Sequence, residues 1–271
     1  MRDAAERLGV DWARLDAELL MAHALGHSRS DMLLRHMRDP VPAGFATLVE
    51  RRLADEPVAY IVGEAEFFGR RFAVTPDVLI PRIDSETVVN AALAAAPDPR
   101  RVLDCGTGSG CLLLTLLAER SAAEGVGIDR SPAALALAGN NAAALGLAYR
   151  TRLLEADWTQ TGWADALGRF DLVIANPPYV ESGADLDASV RDHEPHGALF
   201  AGEDGLDDYR VLIPQLPALL APAGAAVLEI GWKQADAGAA IAAESGFDVA
   251  LTRDLAGRPR ALTLTFGESG G

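Results

Sequence analysis

Apolar and polar positions first alternate at helical spacing. Trp12, Leu15, Leu19 and Ala22 stand at i, i+3, i+7 and i+10 behind Asp11, a possible N-cap, which places them on one helix face. Further helices are expected at 30–37 and 43–55, with Gly26, Pro40 and Pro42 between them. The period changes in "EFFGRRFAVTPDVLIPR", residues 66–82. There Phe67, Phe68, Phe72 and Val74 flank Gly69 and Arg70, as in a β-hairpin. Beyond it, the strand candidates "RVLDC", "GVGID", "RLLEAD", "DLVIAN", "AAVLEI", "DVALTRD" and "ALTLTF" alternate with helical stretches. One such stretch, "AALALAGNNAAALG", is preceded by the cap Ser131 and by Pro132 as first residue, and ends at Gly146. The alternation predicts an α/β fold, a mostly parallel sheet with helices on both faces. The chain divides into a helical domain at 1–60, a β-hairpin linker at 61–80 and an α/β domain at 81–271.

Composition fits this picture. Of 271 residues, 49% are hydrophobic and 23% charged, as in a globular protein. The longest aliphatic run, "LLLTLLA" at 112–118, falls far short of the ~20 residues of a spanning helix. The charged N-terminus lacks a signal-peptide core, so a cytoplasmic protein without a membrane partner is expected. Cys105 and Cys111 form neither a disulfide framework nor a zinc pattern, and two buried, reduced thiols are expected. A net charge of −15 argues against direct nucleic-acid binding, which depends on Lys and Arg neutralising phosphates. Residues 1–60 carry eight Arg and ten Asp plus Glu, a balance of −2, which leaves −13 for the rest. That mild acidity suits either a docking surface or a cap packed on the larger domain.

Candidate chemistry begins at "VLDCGTGSGC", where Gly106, Gly108 and Gly110 separate a strand from a helix. A dinucleotide fingerprint requires a glycine at Cys111, and Asp104 would oppose a pyrophosphate at that helix N-terminus. An adenosyl cofactor that carries a sulfonium and an ammonium group suits acidic surroundings better. Asp129, ending "GVGID", can accept both ribose hydroxyl protons. Asp157 and Trp158, after the next strand, offer an acceptor and a flat apolar surface to adenine. Three strand tips then converge on S-adenosylmethionine.

"DLVIANPPYVES", residues 171–182, supplies the second half of a site. Proline cannot extend a ladder, so the strand must end at Asn176. A methyltransferase acting on a planar nitrogen must aim a delocalised, weakly nucleophilic lone pair at the methyl group, and it can do so by holding both N–H bonds. Asn176 Oδ1 and the Pro177 carbonyl can be those acceptors, while Pro178 stiffens the turn and Tyr179 stacks on the planar group. Adenine, cytosine and glutamine nitrogens all remain open on this motif.

Across nearly its whole length the chain resembles the HemK/PrmC family of protein-(glutamine-N5) methyltransferases, which modify peptide-chain release factors. The resemblance rests on "LDAELLMAHALG", "EPVAYIVGEAEFFGRRFAV" with "VLIPR", "LDCGTGSGC", "FDLVIANPPYV", "HEPHGALFAGEDGLDDYR", "LEIGWKQ" and "AGRPRAL". It implies a Rossmann-like catalytic domain with an antiparallel last strand and an N-terminal helical domain that helps bind the release factor. By resemblance Gly106, Thr107, Gly108, Ser109, Gly110, Asp129, Trp158 and Asn176 hold S-adenosylmethionine. Asn176, Pro177, Pro178 and Tyr179 hold the glutamine of a Gly-Gly-Gln loop, with Asn176, Pro177 and Tyr179 as the catalytic set. Where the family usually reads Pro-Arg-Pro-Glu-Thr-Glu this chain has "PRIDSE", which leaves open the shape of the wall near the cofactor. His193 and His196 stand at i and i+3 in "HEPHG", but a proline lies between them and the family loop has no metal role, so no metal is expected. Competing readings are glutamine methylation of a ribosomal protein, adenine-N6 methylation of nucleic acid, and a catalytically silent binding module.

Overall fold

The computed structural model describes residues 1–9 and 13–267. Asp11 and Trp12 lie outside the described residues. Five helices come first: α1 (Arg2–Leu8), α2 (Ala13–Leu25), α3 (Arg29–Arg35), α4 (Phe45–Leu53) and α5 (Val58–Val62). They enclose their own core of Ala17, Leu20, Met21, Met32, Phe45 and Val49. The buried face of α2 differs from the one the pattern predicts, since Leu15 is exposed and Leu19 only half-buried. Ala13 and Ala17 face inward instead. Small side chains let the neighbouring helices approach closely, a preference that counting large apolar residues misses.

The hairpin follows, with β1 (Glu64–Phe67) antiparallel to β2 (Arg70–Ala73) and Phe67 opposite Arg70. Its turn residues are Phe68 and Gly69, both left-handed at φ 51° and 69°. Such a two-residue turn matches the strand twist. The Phe68 N–H donates to Glu86 Oε1 at 2.8 Å, which helps hold an aromatic residue in a conformation it rarely adopts. Phe67 and Phe72 are buried against the α/β domain; each such side chain contributes up to about 2–3 kcal/mol. On the outer side of β2, Ala73 is clasped by Asn141: its N–H donates to Asn141 Oδ1 at 2.8 Å and its carbonyl accepts from Nδ2 at 3.0 Å.

The remaining elements are α6 (Glu86–Ala95), β3 (Arg101–Cys105), α7 (Cys111–Glu119), β4 (Glu124–Asp129), α8 (Pro132–Ala144), β5 (Thr151–Glu155), β6 (Phe170–Ala175), α9 (Ala188–Arg191), α10 (Asp207–Leu212), α11 (Leu216–Leu219), β7 (Leu220–Glu229), α12 (Ala235–Glu244), β8 (Phe247–Arg253) and β9 (Pro259–Phe266). Seven strands form one sheet in the order β5-β4-β3-β6-β7-β9-β8. β3 to β7 run parallel, and β9 is antiparallel to both β7 and β8. Apolar clusters cover both faces. α8 begins as its residues predict: the Ser131 hydroxyl accepts from Ala134 N–H, and Pro132 occupies the first turn. β7 starts earlier than "AAVLEI" suggests, and the β6 register shifts between Phe170 and Leu172, opposite the stretch holding Pro222, which has no N–H to give the ladder. After β5 the chain returns to the other side of β3. The strand order therefore reverses beside β3, where parallel sheets open a crevice at the carboxyl ends of their strands.

Candidate active site

A cleft of about 340 Å³ lies at that reversal. The loop after β3 forms its floor: Gly106, Thr107, Gly108 and Ser109 line it, while Gly110, the residue before α7, packs against Leu114 and Ala138 instead. The Gly106 and Thr107 N–H groups both donate to the Ile128 carbonyl, which pins the loop to β4. Gly106 has φ 78°, and a Cβ there would stand 3.1 Å from the tip of the Trp158 indole. The glycine thus serves a left-handed turn and the close approach of an aromatic wall.

Asp129 ends β4 with one oxygen accepting from Gly108 N–H and the other from Ser131 N–H, both at 2.9 Å. Two fixed bonds aim the carboxylate and leave it spare lone pairs for a ligand. Trp158 is held from two directions. Its Nε1 donates to Asp208 Oδ1 at 3.0 Å, and its carbonyl accepts from Gln215 Nε2 at 3.0 Å. Burial pushes the Asp208 carboxyl up, and the Trp158 N–H opposes it. Asp208, on α10, lines the cleft beside Trp158, and nothing in the spacing of "GLDDYR" singles it out. At Asp157, burial works against the charge, but the N–H and hydroxyl of Thr159 outweigh it and hold the carboxyl below its usual range.

Beneath the loop, Asp104 is buried. Its Oδ2 accepts from the Thr107 hydroxyl at 2.7 Å, and Oδ1 has no partner among the described residues. Burial pushes it up to about 7, the Thr107 hydrogen bond opposing and the Asp129 charge adding. Cys105 is buried as expected. Cys111 instead is half-exposed and lines the cleft; burial still pushes its thiol up to about 12. Both cysteines are free.

On the far wall, β6 ends and Asn176 and Pro178 line the cleft. Among the described residues the Asn176 amide makes no hydrogen bond, and the residue is half-buried in the cleft wall. Pro177 is buried and does not line the cleft. Tyr179 turns to the other side of the loop, where it borders a second depression with Arg82, Ile83, Asp84, Glu229 and Arg260. "PRIDSE" thus stands between the two: Pro81, Arg82 and Ser85 line the cleft, and Ile83 is exposed at the rim of the neighbouring depression. Of the "HEPHG" segment, Pro195 and Gly197 stand in the cleft wall. His193 Nε2 lies 3.1 Å from the Ala54 carbonyl, and His196 Nε2 lies 2.7 Å from that of Arg191. Among the described residues no group of three metal-ligating side chains occurs.

A glycine loop, an aimed acidic strand tip and an Asn-Pro-Pro-Tyr turn, set around one crevice of a mostly parallel sheet with an antiparallel edge, define a methyltransferase of the Rossmann-like class. Comparison with known proteins agrees. The family model described as the methyltransferase domain matches residues 98–253, and that of the PrmC N-terminal domain matches residues 2–63. The chain is 45% identical to the release factor glutamine methyltransferase of Cereibacter sphaeroides, covering 97% of this chain and 96% of that one. It is 42% identical to that of Rhodospirillum rubrum, covering 94% and 79%. Among solved structures, a ribosomal protein L11 methylase from Lactobacillus delbrueckii subsp. bulgaricus shares the fold, with a TM-score of 0.51 and 22% identity over 69% of this chain and 81% of that one. The chain belongs to the release factor glutamine methyltransferase family.

Proposed function

We propose that this protein transfers a methyl group from S-adenosylmethionine to the side-chain amide nitrogen, N5, of the glutamine in the Gly-Gly-Gln motif of peptide-chain release factors. The observation that carries this reading is the Asn176 amide, which lacks a partner among the described residues and stands in the wall of the cleft that holds the glycine loop and Asp129. The cleft suits the cofactor: Asp129 has spare acceptors for ribose hydroxyls and favours a cationic ligand, and Trp158 offers a flat wall to adenine. When bound, S-adenosylmethionine supplies a methyl group on a sulfonium sulfur, and the carbon–sulfur bond breaks as the carbon–nitrogen bond forms. Gly106 to Ser109 and Asp129 bind. Asn176 Oδ1 and the Pro177 carbonyl accept the two amide protons of the glutamine and so aim its lone pair. Methylation makes that nitrogen acidic, and one of the held protons departs to water without a dedicated base. The flanking glycines keep the substrate loop thin enough to enter.

In this reading residues 1–60 form the release-factor-binding domain, 61–80 the hairpin linker and 81–271 the catalytic domain, in a cytoplasmic enzyme. The test uses purified enzyme, labelled cofactor and four acceptors: release factor, the same factor with its Gly-Gly-Gln glutamine changed to glutamate, ribosomal subunits, and duplex DNA. Labelling is expected only of the unaltered release factor, since a carboxylate has no nitrogen to receive methyl. Equal labelling of both factors would place the methyl elsewhere, and preferential labelling of ribosomes or DNA would overturn the substrate.

A further inference from the structure

Behind the Asn-Pro-Pro-Tyr turn lies a carboxyl group that the reaction described above leaves unused. Glu229 ends β7, the strand next to β6, and is fully buried. Tyr179 Oη donates to its Oε1 at 3.3 Å, and Oε2 has no partner among the described residues. The Ser85 hydroxyl, from the turn at Ile83–Ser85, stands beside this carboxyl but does not close a bond in proper geometry, and it too is buried without a partner among the described residues. The nearby arginines direct their bonds to other carboxylates, although Arg260 Nε is buried without a partner among the described residues. Arg82 pairs with Glu194, and Arg260 pairs with Asp84 at 2.9 Å and Asp254 at 3.3 Å. A charged Glu229 would thus be a buried anion that makes no salt bridge among the described residues, with only the charge of Arg260 nearby to offset it, an arrangement that is costly.

One proton removes both defects. We propose that Glu229 works as a neutral acid and is a positioning residue for Tyr179: its protonated Oε2 donates to Ser85 Oγ while Oε1 accepts from Tyr179 Oη. This chain of two hydrogen bonds fixes the Tyr179 ring against the wall that Ser85 shares with the cofactor cleft. The role rests on the reading of Tyr179 as part of the glutamine site. Burial pushes the Glu229 carboxyl up, opposed by the Ser85 hydroxyl, the Arg260 charge and the Tyr179 hydroxyl, with Asp84 acting in the same direction as burial. Around it stand Tyr179 after β6, Tyr209 of α10, whose hydroxyl binds the Glu229 main-chain carbonyl at 2.7 Å, Arg260 of β9, Asp84 of the turn, and Cys111 of α7. Burial and Asp84 disfavour a negative charge on Glu229, while Arg260 and the hydroxyls of Ser85 and Tyr179 favour it.

The experiment compares wild type, Glu229→Ala and Glu229→Gln in the full chain. Difference infrared spectra of wild type minus Glu229→Gln at neutral pH, without substrate, are expected to show the carbonyl stretch of a protonated carboxylic acid; a carboxylate band in its place overturns the proposal. This readout stands whether or not the glutamine assignment holds. In turnover, Glu229→Ala should lower kcat at least about tenfold with little change in KM for the cofactor. Glu229→Gln, whose amide can make both hydrogen bonds, should restore kcat to within about threefold of wild type. It should also abolish the fall in wild-type activity that follows as Glu229 loses its proton at alkaline pH. A glutamine variant as slow as the alanine one, an alkaline limb shared by wild type and glutamine variant, or an alanine variant with wild-type kcat would each overturn it.

Discussion

Asp104 sits where a negative charge is costly. Burial raises its folded pKa to about 7, well above the usual carboxylate range. A raised acid contributes its stability in full below its unfolded pKa and loses it as pH rises through the folded value. Asp104→Asn should therefore gain thermal stability relative to wild type as pH is raised from about 5 to about 8. Melting curves across that range check this, and a constant difference would mean that Asp104 titrates as an ordinary carboxyl. Residues of this kind divide by how the sequence announces them. Asp129, Trp158 and Asn176 each follow an apolar strand, so strand ends alone bring them to one edge of the sheet. Asp208 reaches Trp158 from fifty residues further on, and Glu229 meets Tyr179 across the same interval. No local pattern records such contacts, because they depend on which strands and helices become neighbours in space.

Among the elements, α5 joins the two parts of the chain. Ile61 packs into the helical core, and Tyr60 packs with Val74, Val78, Ala134 and Leu137 on the other side. The Tyr60 hydroxyl donates to the Val78 carbonyl at 2.6 Å, which fixes the stretch that leads into the cleft wall. Tyr60→Phe keeps the ring and deletes this bond, so it should cost about 1–2 kcal/mol. The midpoint of urea unfolding measures it; an unchanged midpoint would show that the carbonyl finds water instead. Element types were readable where periodicity and punctuation agree, as in α8 between Ser131 and Gly146. The inward face of α2 was not, because Ala13 and Ala17 carry too little apolar surface to mark a face that close helix packing selects. The early start of β7 was hidden by Pro222, which reads as a breaker and lies instead at an irregular stretch of the ladder.

For the whole molecule, alternating strands and helices announce a parallel sheet, yet the return of β6 to the far side of β3 has no mark in the sequence and creates the cleft. Charge is legible at this scale, and with a net −15 the molecule should have little affinity for duplex DNA. Excess DNA added to a methylation assay on release factor should neither accept label nor slow the reaction, even at low salt. Inhibition that deepens as salt falls would reveal a phosphate-binding surface the overall charge does not suggest. The Asn141 clasp on Ala73 acts at this scale too, between separate copies of the protein. An open strand edge is a template on which another chain can add a strand. At Ala73 both outward backbone groups of β2 are already taken by a side-chain amide, and two residues earlier the chain carries the exposed Arg71. The hairpin therefore has no free edge groups at Ala73 to offer an incoming strand, and replacing Asn141 would uncover them.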